Sequence, residues 1–165
     1  DGFAAARHLC NAGVNATAYA LKPVDELDGD AAVNARVADT LGLVAPMSDA
    51  GSDEGRAALT RALAEADVVI DALLGTGFSG EVREPMATLI RTVNDVRDER
   101  SGALRTVAVD TPSGLDVDTG EPSNATLRAD VTVTFVAMKK GFAEQTAKPF
   151  VGEVVVADIG FAECH

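Results

Sequence analysis

Residues 67–80 read Asp67-Val68-Val69-Ile70-Asp71-Ala72-Leu73-Leu74-Gly75-Thr76-Gly77-Phe78-Ser79-Gly80. The run 67–74 is apolar but for one internal carboxylate, Asp71, which predicts a strand buried on both faces. Three glycines in the next six residues predict a loop, and Glu84-Pro85 then opens a helix through about Val93. Proline is tolerated in a first helical turn because its missing N–H would be unpaired there anyway.

Upstream of this stretch, residues 3–12 place Phe3, Ala6, Leu9 and Cys10 at helical spacing, and Gly13 is placed to stop that helix. Val14 to Leu21 alternates as a strand would. Residues 29–42 predict a second helix with Val33 and Val37 facing inward, and 53–66 predict a third. Downstream, the charged residues 94–103 predict a surface connection, and Leu104 to Val109 a strand. Asp110-Thr111-Pro112-Ser113-Gly114 forms a turn, and 115–128 a loop with little periodicity. Residues 131–137 are β-branched and strand-like, and 153–159 supply a last strand. Strands alternating with helices imply an α/β fold: a doubly wound, mostly parallel central sheet in one domain.

Composition narrows the function classes. The 165 residues carry 26 acidic against 14 basic side chains, a net charge of −12. Without a basic cluster, that charge disfavours nucleic acid or an anionic membrane as a partner. No run of 18 apolar residues occurs, so no membrane-spanning helix is expected. Only Cys10 and Cys164 are present, too few for a disulfide framework or a thiolate zinc site, and a reduced, cytoplasmic compartment is the default. Asp1-Gly2-Phe3 carries neither an initiator Met nor a signal peptide, which reads as a chain whose beginning has been lost.

Ligands of open α/β sheets bind beyond the carboxyl ends of the strands, so the polar residues ending each apolar run carry most of the information. Asp71 precedes the glycine loop, Asp110 follows Val107-Ala108-Val109, and Lys139 follows the run 131–138. Two carboxylates and an amine, delivered by separate strands to one edge, make a site of acid, base and cation-holding groups. Plainer roles exist for each. An Asp at a strand end often caps a turn, though Pro112 stiffens the turn after Asp110 and Ser113 adds a second oxygen. A carboxylate inside an apolar run must be hydrogen-bonded or bound to a cation. Lys139 and Lys140, taken alone, read as solvated ends; Cys10 reads as a small core residue; His8 and His165 receive no role. The loop 75–80 lacks the spacing of a dinucleotide fingerprint, but its glycines allow close approach of backbone to a bulky ligand.

Five segments then carry a family resemblance: residues 1–9 (DGFAAARHL), 71–85 (DALLGTGFSGEVREP), 107–120 (VAVDTPSGLDVDTG), 132–142 (TVTFVAMKKGF) and 151–160 (VGEVVVADIG). In that order they resemble the NAD(P)H-hydrate epimerase family, the YjeF N-terminal domain. The resemblance implies a Rossmann-like three-layer sandwich over residues 1–165, lacking the family's first helices and first strand. It implies interconversion of the R and S forms of hydrated NADH and NADPH (NADHX and NADPHX), serving a fused or separate dehydratase. It places potassium ligands on Asp71 and Ser113. The substrate loop falls on Gly75, Thr76, Gly77, Phe78, Ser79, Gly80 and Glu81, with further substrate contacts at Asp110 and at Asp1, the last residue of an Asn-Asn-Gly-Gly-Asp segment. Homodimers are usual in that family. Met138 departs from the small residue or proline usual before Lys139.

Inverting a hydroxyl on the carbon beside a ring nitrogen needs a group that gives a proton and takes one back. Asp110 is the first candidate for that acid–base role and Lys139 the second, as partner or electrostatic guide. A non-catalytic scaffold of the same fold, binding a nucleotide or a protein, is the competing reading.

Overall fold

The computed structural model describes residues 1–47 and 51–160; Cys164 and His165 lie outside the described residues. The elements run α1 (Gly2–Asn11), β1 (Ala18–Ala20), α2 (Gly29–Thr40), β2 (Val44–Pro46), α3 (Asp53–Glu65), β3 (Val68–Asp71), α4 (Met86–Glu99), β4 (Arg105–Val109), β5 (Val131–Phe135), α5 (Lys148–Val151) and β6 (Glu153–Ala157). The expected α/β class and parallel pairing hold, but the strands form two sheets: β1-β2, and a four-stranded sheet in the order β3-β4-β5-β6. Every pair in both is parallel, with Ile70 opposite Val107 and Val107 opposite Val131. Because β3, β4 and β5 are neighbours running the same way, their carboxyl ends open side by side.

Local chemistry explains the helices. Ser52 caps α3 by accepting a hydrogen bond from the Gly55 N–H at 3.0 Å, and Asp53 and Glu54 place negative charge on the first turn. In α4, Leu89, Ile90, Val93 and Val96 recur at helical spacing and are buried. With Leu59 and Leu63 of α3, Val82, Leu104 and Leu127 they build the main core. A second cluster joins Leu115, Phe142, Ala147 and Val151 beside β5 and β6.

Four expectations are corrected here. Val33 and Val37 of α2 point outward, 59% and 37% exposed, while Ala32, Ala35 and Ala38 are buried. Alanines let α2 lie close against α1, with which it packs. The segment 94–99 is helix, not a surface connection. Its Asn94 donates to the Thr126 carbonyl (2.9 Å) and accepts from the Arg128 N–H (3.0 Å), Arg97 pairs with Asp130 at 2.7 Å, and Arg128 pairs with Asp98 at 2.6 Å. Nor is β3 buried on both faces. Val68 is half-exposed and Ile70 only partly covered, whereas Thr106, Thr132 and Thr134 on the adjoining strands are fully buried. Cys10 is only partly buried rather than a core residue. The short strand β2, ending in a proline, carried too few residues for its pattern to announce it. None of the helices among the described residues is long and apolar enough to cross a membrane.

Candidate active site

The carboxyl end of β3 delivers Asp71, 3% exposed, into contact with Ser113, which is fully buried in the turn after β4. Asp71 Oδ2 accepts from the Ser113 N–H at 2.7 Å; Oδ1 accepts from the Ser113 hydroxyl at 2.6 Å and from the Leu73 N–H at 3.2 Å. The Ser113 hydroxyl in turn accepts from the Leu74 N–H at 2.9 Å. A single serine therefore ties the buried carboxylate to the first residues of the glycine loop. Burial pushes the Asp71 carboxyl above the usual range against the pull of these hydrogen bonds, and none of the ion pairs among the described residues involves it.

The loop itself is bare. Gly75, Thr76, Gly77, Ser79, Gly80 and Glu81 are exposed and Phe78 is half-buried. A Cβ at Gly75 or Gly77 would meet nothing within 4 Å, so these glycines leave backbone open rather than packed, while Gly80 uses a φ of +85°. Beside the loop lies a cavity of about 280 Å³ lined by Leu74, Phe78, Glu81 and Arg83 among others.

Asp110 follows β4 directly and Val136 follows β5 directly, with φ of +66° and +68°. Each is the centre of a three-residue turn, closed by Thr111 N–H to Val109 O (2.9 Å) and by Ala137 N–H to Phe135 O (2.7 Å). Asp tolerates the left-handed region; a β-branched valine there is strained. Two adjacent parallel strands thus end in sharp positive-φ turns, and strain of this kind concentrates where a site is held in one geometry.

Lys139 folds back across this edge. Its Nζ donates to Asp110 Oδ1 at 2.9 Å and to the Phe135 carbonyl at 3.1 Å, with both charged side chains about one-fifth exposed, 22% and 21%. The Thr134 hydroxyl (3.0 Å) and the Phe135 N–H (3.1 Å) donate to the same Oδ1. Oδ2 takes part in none of these bonds. Burial opposes the charged carboxylate, but Lys139, the Phe135 N–H and the Thr134 hydroxyl outweigh it and hold the Asp110 carboxyl below the usual range. The group is a carboxylate at neutral pH, with one oxygen saturated by protein donors and the other without a hydrogen bond among the described residues.

Asp71, Asp110 and Lys139 therefore come from three neighbouring strand ends, but as two pairs, Asp71–Ser113 and Asp110–Lys139. Ser113 turns toward Asp71 rather than joining Asp110 on one ligand. Asp1 sits exposed at the start of α1 and lines, with Ile70, Val109, Val133 and Phe135 of the sheet, a mainly apolar cavity of about 310 Å³. Thr134 escaped the sequence reading: its alternation marks it only as a strand residue, and the strand register alone brings its hydroxyl to Asp110.

The family model described as YjeF-related protein N-terminus matches residues 1–141. The chain belongs to this family. Among curated relatives, the NAD(P)H-hydrate epimerase of Rhodopirellula baltica is 39% identical over 97% of this chain and 61% of its own length. That of Pirellula staleyi is 38% identical over 97% of this chain and 67% of its own. The bifunctional NAD(P)H-hydrate repair enzyme Nnr of Methanothermobacter thermautotrophicus is 42% identical over 97% of this chain but 29% of its own. The chain thus spans from under a third to about two thirds of the length of these relatives. A crystal structure of the yeast protein ynu0, YNL200c, shares the fold: it superposes with a TM-score of 0.66 at 23% identity, covering 84% of this chain and 54% of that one.

Proposed function

We propose that this YjeF-family chain, read as one domain, epimerises hydrated NADH and NADPH at the ring carbon that carries the added hydroxyl. The observation that supports this most directly is the Asp110–Lys139 pair, in which Oδ1 is saturated while Oδ2, among the described residues, is an unused acceptor at the strand ends. The names of the curated relatives point to the same substrate class.

The substrate is a hemiaminal, with a hydroxyl on a carbon next to a ring nitrogen. Lys139 gives its proton to the departing hydroxyl, which leaves as water while the nitrogen lone pair forms an iminium. Water then adds to the opposite face of the planar iminium and loses a proton to Asp110 Oδ2. The proton on Oδ2 then passes through solvent to the Lys139 amine, whose Nζ faces the other oxygen, Oδ1, at 2.9 Å, and this restores the pair with no net proton consumed. Asp110 is assigned the accepting role because its carboxyl is held low and gives up a proton too readily to serve as the acid at neutral pH. The loop Gly75 through Glu81 receives the ribose or pyrophosphate against open backbone, and Asp1 contributes from the start of α1.

Potassium is the cation we assign to Asp71 and Ser113. The donors fit a singly charged ion: hard oxygens, and one buried carboxylate whose charge no basic side chain among the described residues offsets. When bound, the ion supplies that compensating charge and holds the root of the glycine loop. The setting is cytoplasmic, and a dehydratase, fused or separate, acts on the epimer this domain supplies. Homodimers fit the same reading.

The test is NMR of purified S-hydrate incubated with the 165-residue chain. Growth of the R-hydrate resonances faster than in a protein-free control is expected. Equal rates in the two samples would reject catalysis by this chain and favour the scaffold reading.

A further inference from the structure

The glycine loop is gripped at two points, and both grips come from the segment that follows β4. At its entrance the Leu74 N–H donates to Ser113. At its exit the Val82 peptide is held on both sides by Asn124: the Val82 N–H donates to Asn124 Oδ1 at 2.8 Å, and Asn124 Nδ2 donates to the Val82 carbonyl at 3.2 Å. This is the pairing a neighbouring strand would offer, supplied by one side-chain amide. Ser123 reinforces it. Its hydroxyl lies 2.8 Å from the Gly80 carbonyl and accepts from the Val82 N–H at 3.2 Å. Between the two grips, a turn closes from the Phe78 N–H to the Gly75 carbonyl at 3.1 Å.

The gripping segment is itself seated on the turn that follows Asp110. The Ser123 N–H donates to the Gly114 carbonyl at 2.9 Å, and the Thr126 hydroxyl donates to that same carbonyl at 2.8 Å. A Cβ on Gly114 would stand 2.0 Å from the Ala125 carbonyl oxygen, which shows how closely the two stretches lie. The position of the loop is therefore referred to the turn after Asp110 through the hydrogen bonds of Ser113, Ser123, Asn124 and Thr126 and one close backbone approach.

We propose that Asn124 is a positioning residue that sets how the glycine loop meets its ligand, touching neither the reacting atoms nor the loop's open backbone. The inference rests on the reading of 75–81 as the substrate loop. Removing the amide releases one end of the loop while Asp110 and Lys139, on other strands, stay in place. The loss then falls on ground-state binding, so it appears in KM.

The experiment compares Asn124→Ala and Asn124→Asp with the parent chain. Asn124→Asp keeps an acceptor for the Val82 N–H but loses the donor to its carbonyl. Amide hydrogen exchange without substrate is expected to quicken at Phe78 to Arg83 in both variants, more in Asn124→Ala, with β4 and β5 unchanged. In epimerisation assays KM is expected to rise about tenfold in Asn124→Ala, less in Asn124→Asp, with kcat within about twofold of the parent. Unchanged exchange across the loop in either folded variant, or a fall in kcat at constant KM, would overturn the assignment. The exchange measurement reads the grip with no turnover, so a parent chain without epimerase activity would sink the proposed function and leave the grip to be judged on exchange. Should Asn124→Ala fail to fold, Asn124→Asp decides by the same criteria.

Discussion

Replacing Lys139 by Met keeps most of the side chain's apolar stem and removes its charge, so the effect isolates what the ammonium does for Asp110. The pair is close, 2.9 Å, but each side chain is about one-fifth exposed, 22% and 21%, so solvent screens part of the attraction. It lies between an open surface pair, worth about 0–1 kcal/mol, and a buried one, where losing a partner costs about 3–5. About 1 kcal/mol at neutral pH is the expected loss, equivalent to a melting temperature lower by about 2–4 °C for a chain of this size. The pH dependence gives the sharper test. Asp110 is held below its unfolded value, so its contribution to stability is complete above the unfolded pKa and is lost as pH falls through the folded one. The gap between parent and Lys139→Met should therefore be full at pH 7 and close as the carboxyl protonates below about pH 4. Thermal unfolding across that range reads the gap, and a carbon-13 titration of the Asp110 carboxyl should show its pKa rising in the variant, because burial is then opposed only by Thr134 and the Phe135 N–H. A stability gap of equal size at pH 7 and pH 3, or an unmoved titration, would refute the coupling.

Asp110→Asn should still fold, because Asn also accepts a φ near +66°, with melting lowered about as much as in Lys139→Met since the same ion pair is lost, yet lose about 10²- to 10⁴-fold in epimerisation rate by the NMR assay; turnover at the parent rate would remove Asp110 from the chemistry. Gly114→Ala should cost more than about 3 kcal/mol, since the new methyl meets the Ala125 carbonyl at 2.0 Å on a backbone with φ of +89°; denaturant unfolding within 1 kcal/mol of the parent would contradict that packing. Exchanging potassium for tetramethylammonium at equal ionic strength should lower the melting temperature, as loss of a ligand that binds only the folded state requires, and identical melting curves would count against Asp71 and Ser113 as cation ligands.

The strands of the four-stranded sheet were legible along the chain, because β-branched runs bounded by Gly, Pro and Asp carry a local preference that needs no partner, and their parallel sense followed from alternation with helices; the short β2 was not legible. Faces were less legible. Val33 and Val37 look like the apolar stripe of α2, but helix-to-helix distance selected Ala32, Ala35 and Ala38 for the interior. The polar residues 94–99 look like a loop, yet they are helical because Thr126, Arg128 and Asp130 lie where Asn94, Arg97 and Asp98 can bond to them. No periodicity within 94–99 could disclose partners some 30 residues away.

The chain's order by itself put Asp71, Asp110 and Lys139 at the ends of successive apolar runs, since a parallel α/β sheet collects such ends on one rim whatever its details. The fold alone settled which groups meet. Strand register and the two positive-φ turns bring Lys139, Thr134 and the Phe135 N–H onto one oxygen of Asp110, send Ser113 to Asp71 instead, and bring Asn124 to Val82. Hydrogen bonds are decided over tenths of an ångström by residues distant in sequence, whereas the tendency to form a strand and stop is a property of a few neighbours.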